Sequence, residues 1–264
     1  MIEPRSTDLQ PWPLAMAAFR RVWAQRDDLL RLAVVPFVPA FALYLWIQDV
    51  LADVVRVMPP GQQPNPEVMV ALQGPFLLYG LGSLCILGIF SVNWMRFLML
   101  GNSAGGGLGI ALGRRHFRLV LLAIGLQFLA SLILSIVMTI GALILGSNAI
   151  VFAIFILGII WYLIAAARLT PVWVGIAIDA PMKLGEAWRR THGYGIKLAV
   201  AVVIVSFLLL ALQSAFFWLS LGLGVSELAP LALSFISVAI QFIMFAAIGA
   251  VLVLAYPRFV SETV

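Results

Sequence analysis

Arg168-Leu-Thr-Pro-Val-Trp-Val-Gly-Ile-Ala-Ile-Asp179, continuing through Ala-Pro-Met-Lys183-Leu-Gly-Glu186-Ala-Trp188-Arg189-Arg190-Thr-His192-Gly193-Tyr-Gly-Ile-Lys197, is a charged segment between two uncharged deserts, 119–167 and 198–226. A chain that alternates in this way passes repeatedly through an apolar medium and collects its charges where it emerges. The segment therefore reads as the connection between two membrane hairpins. No motif in it names a substrate or a reaction.

Composition gives the same class. Hydrophobic residues make up 63% of the 264, and charged residues only 10%. The mean hydropathy is +1.10. Soluble domains carry about 25% charged residues, so the chain reads as one integral membrane domain spanning 1–264. The net charge of +5 falls in short clusters beside apolar runs, which fits membrane topology and gives no reason to expect nucleic acid. Cys85, the lone cysteine, sits inside an apolar run, where a thiol packs as a small hydrophobe. No short apolar core with a small-residue cleavage site occurs in the first 28 residues, so the first span is expected to act as an uncleaved anchor.

The uncharged runs 32–48, 68–95, 119–167, 198–226 and 228–257 define the spans. A helix needs roughly 20 residues to cross the hydrocarbon, and 119–167 is long enough for two, hinged at Gly146-Ser-Asn148. Six spans result, near 30–50, 74–97, 119–145, 150–168, 198–222 and 229–256. The first is the shortest and contains Pro36 and Pro39. Threading both termini to the cytoplasm puts every Lys and Arg inside except Arg56, as the positive-inside rule requires. The one sizeable outer loop, about 51–68, holds the extended run Met-Pro-Pro-Gly-Gln-Gln-Pro-Asn-Pro.

Part of the charged segment is echoed upstream. Leu108-Gly-Ile-Ala111-Leu-Gly-Arg114-Arg115-His116 aligns with Leu184-Gly-Glu-Ala187-Trp-Arg-Arg190-Thr-His192, and Leu14-Ala-Met-Ala17-Ala-Phe-Arg20-Arg21 is a weaker third copy. The expected arrangement is three repeat units, 14–100, 108–168 and 184–258, each a short basic helix followed by a hairpin. Over 180–192, Leu184, Ala187, Trp188 and Thr191 share a helical face, with Asp179 as cap and Gly193 as stop. Such a helix suits the membrane interface. Arg20, Arg21, Arg114, Arg115, Lys183, Arg189 and Arg190 are the candidate contacts to lipid head groups. The glycines at 105–107 lack the strand and the Gly-Lys-Ser/Thr of a phosphate loop.

The run Arg168…Asp179…Ala187-Trp188…Thr191-His-Gly193 resembles a loose group of bacterial polytopic membrane proteins, including the membrane domain attached to some glycerophosphodiester phosphodiesterases and related six-span proteins of unknown role. The likeness covers about 30 residues. It implies a six-span fold in a bacterial inner membrane and a lipid context. It implies no activity, because this chain carries no soluble catalytic segment.

Few residues invite chemistry. The predicted spans hold no Asp, Glu, Lys, Arg or His at mid-depth, which argues against a proton-coupled carrier. They do hold polar stripes: Gln127, Ser131, Ser135 and Thr139 in the third span, Ser206, Gln213 and Ser220 in the fifth, and Ser234, Ser237 and Gln241 in the sixth. Packing between helices is the expected use, with a polar pathway as the alternative. Arg168 and Asp179, about three turns apart if the fourth span continues past Pro171, are expected to form a structural pair. His116 and His192 lack further ligands, so no metal or other cofactor is expected. The sequence reads as an all-α, non-enzymatic inner-membrane protein that associates with anionic lipid on the cytoplasmic face, with a partner protein or with a second copy. A small-molecule permease is the alternative.

Overall fold

The computed structural model describes residues 9–57, 66–101, 113–145, 148–222 and 229–260. The chain is all-α over these residues: α1 Pro11–Ala24, α2 Arg26–Val57, α3 Pro66–Leu100, α4 Arg114–Leu145, α5 Asn148–Arg168, α6 Thr170–Ala177, α7 Leu184–Arg190, α8 Gly195–Gly222 and α9 Ala229–Val260. Most of the outer loop, the glycines at 105–107, residues 108–112 of the middle echo and the turn residues Gly146 and Ser147 lie outside the described residues.

Five of these helices are long and apolar enough to cross a membrane, and α5 and α6, bent by 44° at Leu169, together make a sixth candidate. The protein is thus an integral, multi-pass membrane protein. Sequential helices pair as the hairpins α2–α3, α4–α5 and α8–α9. Each helix overruns the predicted span by two to eight residues at one end or both. The prolines do not interrupt α2, which runs unbroken through Pro36 and Pro39. Proline is tolerated in membrane helices because neighbours and local adjustment satisfy the freed carbonyls.

α9 is the central helix, packed against α8, α3, α2, α1 and α6. Its face is built from small residues, with Ala246, Ala247 and Ala250 fully buried. Small side chains let backbones approach where the hydrophobic effect supplies little drive between helices. Trp94 of α3 lies in this seam and donates its indole N–H to the Ala246 carbonyl at 2.8 Å. Phe90 meets Phe242 edge-on at 4.9 Å. Leu9, before α1, and Phe259, in the last turn of α9, join one buried cluster.

The fourth predicted span ends at Arg168 as expected, but the chain breaks at Leu169 and resumes as α6, almost every residue of which is buried. Thr170 starts the new helix with its hydroxyl on the Ala167 carbonyl (2.6 Å), and Pro171 occupies its first turn, where no N–H is needed. α6 wedges between α3, α4 and α9 and fills the arginine-rich end of the bundle.

Candidate functional site

The arginine-rich end is organised by helix C-termini. The last carbonyls of a helix lack partners within it and carry partial negative charge. Here arginines from other elements supply the missing donors. Arg21 of α1 donates to Leu98 O at 3.0 Å, at the end of α3. Arg96 of α3 donates to Ala177 O at 3.2 Å, at the end of α6. Arg168 donates to Trp188 O in the last turn of α7 and lies over the Trp188 ring, 3.8 Å from its centroid. Arg190 of α7 donates to Phe259 O at 2.9 Å, at the end of α9, and to Glu186 one turn back.

Asp179 is the other node. The expected pair with Arg168 does not form: the Asp179 carboxylate accepts from Arg96 at 2.7 Å and from Arg115 at 3.0 Å. Nor does Asp179 cap the next helix, which begins later, with Lys183 at its N-cap and no side-chain cap bond. The reason is that α6 ends in a tight turn. Ala180 N–H returns to Gly175 O at 2.8 Å, Asp179 N–H to Ile176 O at 3.4 Å, and Asp179 takes the left-handed conformation with φ +62°. Glycine usually fills that place. An aspartate there carries backbone strain, offset by two guanidinium partners. Partial desolvation pushes the Asp179 carboxyl up, but the hydrogen bond from Arg96 and the charges of Arg115 and Arg96 outweigh it and hold it below the usual carboxylate range.

The seven candidate lipid contacts therefore divide. Arg21, Arg115 and Arg190 are half-buried and committed to internal acceptors, whereas Arg20, Arg114, Lys183 and Arg189 are exposed. The aligned positions of the echoed segments also differ in setting. Arg114 and His116 belong to the first turn of α4, whereas the first and third echoes fall on the separate helices α1 and α7. His116 is buried, with Gly113 N–H on its Nδ1 (3.0 Å) and its Nε2 against Asn93 Oδ1 (2.9 Å), while His192 is exposed. Both nitrogens of His116 are thus occupied. No group of three His, Cys, Asp or Glu able to hold a metal occurs among the described residues.

The polar stripes go to two separate places. Gln127 accepts from the Tyr162 hydroxyl of α5 at 3.1 Å and approaches Ser131 at 3.4 Å, beside a cavity of about 140 Å³. Thr139 turns its hydroxyl back onto Ser135 O at 2.8 Å. By contrast, Gln213 of α8 and Ser234 and Ser237 of α9 meet Tyr44 and Gln48 of α2 around a larger crevice of about 640 Å³. Ser206 and Gln241 are half-buried and line neither space. Sequence reasoning missed Tyr44 and Gln48, which lie singly in an apolar run. It also missed Arg96, whose partner is 83 residues away.

Compared with protein-family models, curated proteins and solved structures, the chain matches none.

Proposed function

We propose that this chain is a non-enzymatic membrane protein of a bacterial inner membrane, with its arginine-rich end at the cytoplasmic face and in contact with anionic lipid. One observation carries the reading. The arginines with internal partners are half-buried, and Arg20, Arg114, Lys183 and Arg189 remain exposed at the same end as the exposed Trp12 and Trp23 of α1. Tryptophan and basic side chains together suit the head-group layer. Each free cation there contributes on the order of 1 kcal/mol toward an anionic surface. The likeness of 168–193 to membrane domains linked to phosphodiester-lipid chemistry points to the same setting.

The test compares two sets of variants in vesicles with and without phosphatidylglycerol. Replacing Arg20, Arg114, Lys183 and Arg189 by Gln should lower the anionic lipid retained on purification by at least about tenfold, given ~1 kcal/mol per charge, with thermal stability unchanged. Replacing Arg21, Arg115 and Arg190 should lower stability instead. Equal retention of anionic lipid by the first set would defeat the reading.

The permease reading draws support from the crevice between α2, α8 and α9. Against it, the stripe on α4 borders a different cavity, and Phe90, Trp94, Phe242 and Ala246 fill the bundle toward the arginine-rich end.

A further inference from the structure

The crevice between α2, α8 and α9 lies away from the arginine-rich end, and the anionic-lipid reading leaves it unexplained. Its volume, about 640 Å³, falls within the range of about 300–1,000 Å³ typical of small-molecule sites. Gln48 is nine residues from the end of α2, Gln213 nine from the end of α8 and Ser237 eight from the start of α9. At about 1.5 Å per residue, all three lie about 12–14 Å from the far end of the bundle. α2 is 32 residues long; at about 1.5 Å each it spans about 48 Å and overhangs a hydrocarbon core of about 30 Å by about 9 Å on each side when centred. The three side chains therefore sit about 3–5 Å inside the hydrocarbon edge, just beneath the head groups and glycerol backbones.

The described lining mixes uncharged polar groups with a larger apolar surface. Tyr44, Gln48, Gln213, Ser214, Ser234 and Ser237 contribute hydroxyls and amides, and among the described residues no lining side chain is ionisable apart from the tyrosine. Amide and hydroxyl groups both donate and accept, so they match a ligand whose own groups do the same. A phosphate, carboxylate or ammonium would leave water without an opposite charge to meet it. Gln48, Gln213 and Ser237 make no side-chain hydrogen bond within the protein among the described residues, and an acyl chain would leave them unsatisfied. Trp218 and Phe217, in edge-to-face contact at 6.0 Å, add apolar ring surface to the same wall.

We propose that this crevice binds a neutral, polyhydroxylated group, with Gln48, Gln213 and Ser237 bonding its hydroxyls and the Trp218 side packing on its carbon faces. The chemistry is shared by the head group of a glycosyl lipid and by a free sugar, and the depth of the site favours the lipid-borne form.

The full chain is reconstituted in phosphatidylcholine nanodiscs and titrated in three arms: glucosyl-diacylglycerol, phosphatidylglycerol and free methyl glucoside. Tryptophan fluorescence reports binding, and Trp218→Phe checks that the signal arises at this site. Glucosyl-diacylglycerol should bind saturably, and Gln213→Leu or Gln48→Leu should weaken it by about tenfold, as expected when a hydrogen-bonded partner is left unpaired. Ser237→Ala, the mildest change, keeps the test decisive if either leucine variant fails to fold. Binding of the glycolipid alone assigns a lipid source, and equal binding of methyl glucoside a soluble one; both uphold the site. The proposal is overturned if neither binds saturably, if phosphatidylglycerol binds as well, or if every folded variant binds like the parent. Gln213→Leu leaves Arg20, Arg114, Lys183 and Arg189 intact, so anionic-lipid retention reports separately on the other end.

Discussion

Arg96 and Asp179, 83 residues apart in sequence, meet at 2.7 Å and tie the end of α3 to the turn that follows α6. Arg115 reaches the same carboxylate oxygen from α4, so one side chain holds three elements together.

Asp179→Asn should lower stability in detergent, because two half-buried guanidiniums lose their common anion. The carboxylate itself is 56% exposed, so solvent screening limits the effect to about 1 kcal/mol. The pH dependence follows from the lowered pKa. Its contribution is complete above the unfolded carboxylate value, near ~3.9, and is lost as pH falls through the lower folded value. Thermal midpoints measured from pH 6 down to pH 3 should decline more steeply for the parent than for Asp179→Asn. Parallel curves would remove Asp179 from the acid response.

Gly175→Ala tests the turn from its other side. A Cβ at this position would lie 2.6 Å from the Ala180 carbonyl oxygen, a backbone atom that cannot swing away. Overpacking of this kind costs roughly 1–3 kcal/mol. A drop in thermal midpoint at neutral pH is expected, and an unchanged midpoint would mean that the α6 turn is looser than described.

These two residues mark where sequence reading stopped. The spans were legible because uncharged runs of membrane length have few other uses, and Gln213, Ser234 and Ser237 were legible as polar exceptions within them. α6 was not, because Arg168 at the end of a 49-residue uncharged run, 119–167, reads as an exit to water. The bend at Leu169 and the stacking of Arg168 on Trp188 let the chain turn back into the bundle instead. The Arg168–Asp179 pairing failed for the same reason: a helical offset of eleven residues presumes one straight helix, and the chain breaks between them. Partners such as Asn93 for His116 depend on which helices touch, which no periodicity records.

Trp94→Phe should destabilise the α3–α9 seam by about 2 kcal/mol, combining a lost buried hydrogen bond with a small cavity. Gly249→Val should also destabilise, because even a Cβ there would lie 3.2 Å from the Trp94 ring. Chemical denaturation in mixed micelles measures both; if Trp94→Phe leaves stability unchanged, the bond to Ala246 adds nothing to the seam.

Gln127→Leu and Tyr162→Phe should each change stability by about 1 kcal/mol or less, with a coupling near ~0.6 kcal/mol in the double-mutant cycle, because the unfolded chain in a membrane also finds partners. Cysteines at 127, 131, 135 and 139 should react with lipid-soluble thiol reagents and resist small hydrophilic ones. Labelling of all four by hydrophilic reagents would mark α4 as the wall of an aqueous path.

The threading is checked by cysteines at Asp53 and His192 in a chain whose Cys85 is replaced by alanine. In intact cells an impermeant reagent should label the first and spare the second, since the two lie at opposite ends of the bundle. Labelling of the second alone would invert the assigned orientation.

The arginine contacts at helix ends share a direction along the chain. Arg21 finds its acceptor at Leu98, Arg96 at Ala177 and Asp179, Arg115 at Asp179, Arg168 at Trp188 and Arg190 at Phe259. In every case the arginine is synthesised before the acceptor. Each guanidinium therefore precedes this acceptor along the chain, by between 20 and 83 residues. It enters its internal contact only when a later helix arrives. The same five side chains thus tie earlier parts of the chain to later ones, and the last tie closes one residue before the end of α9.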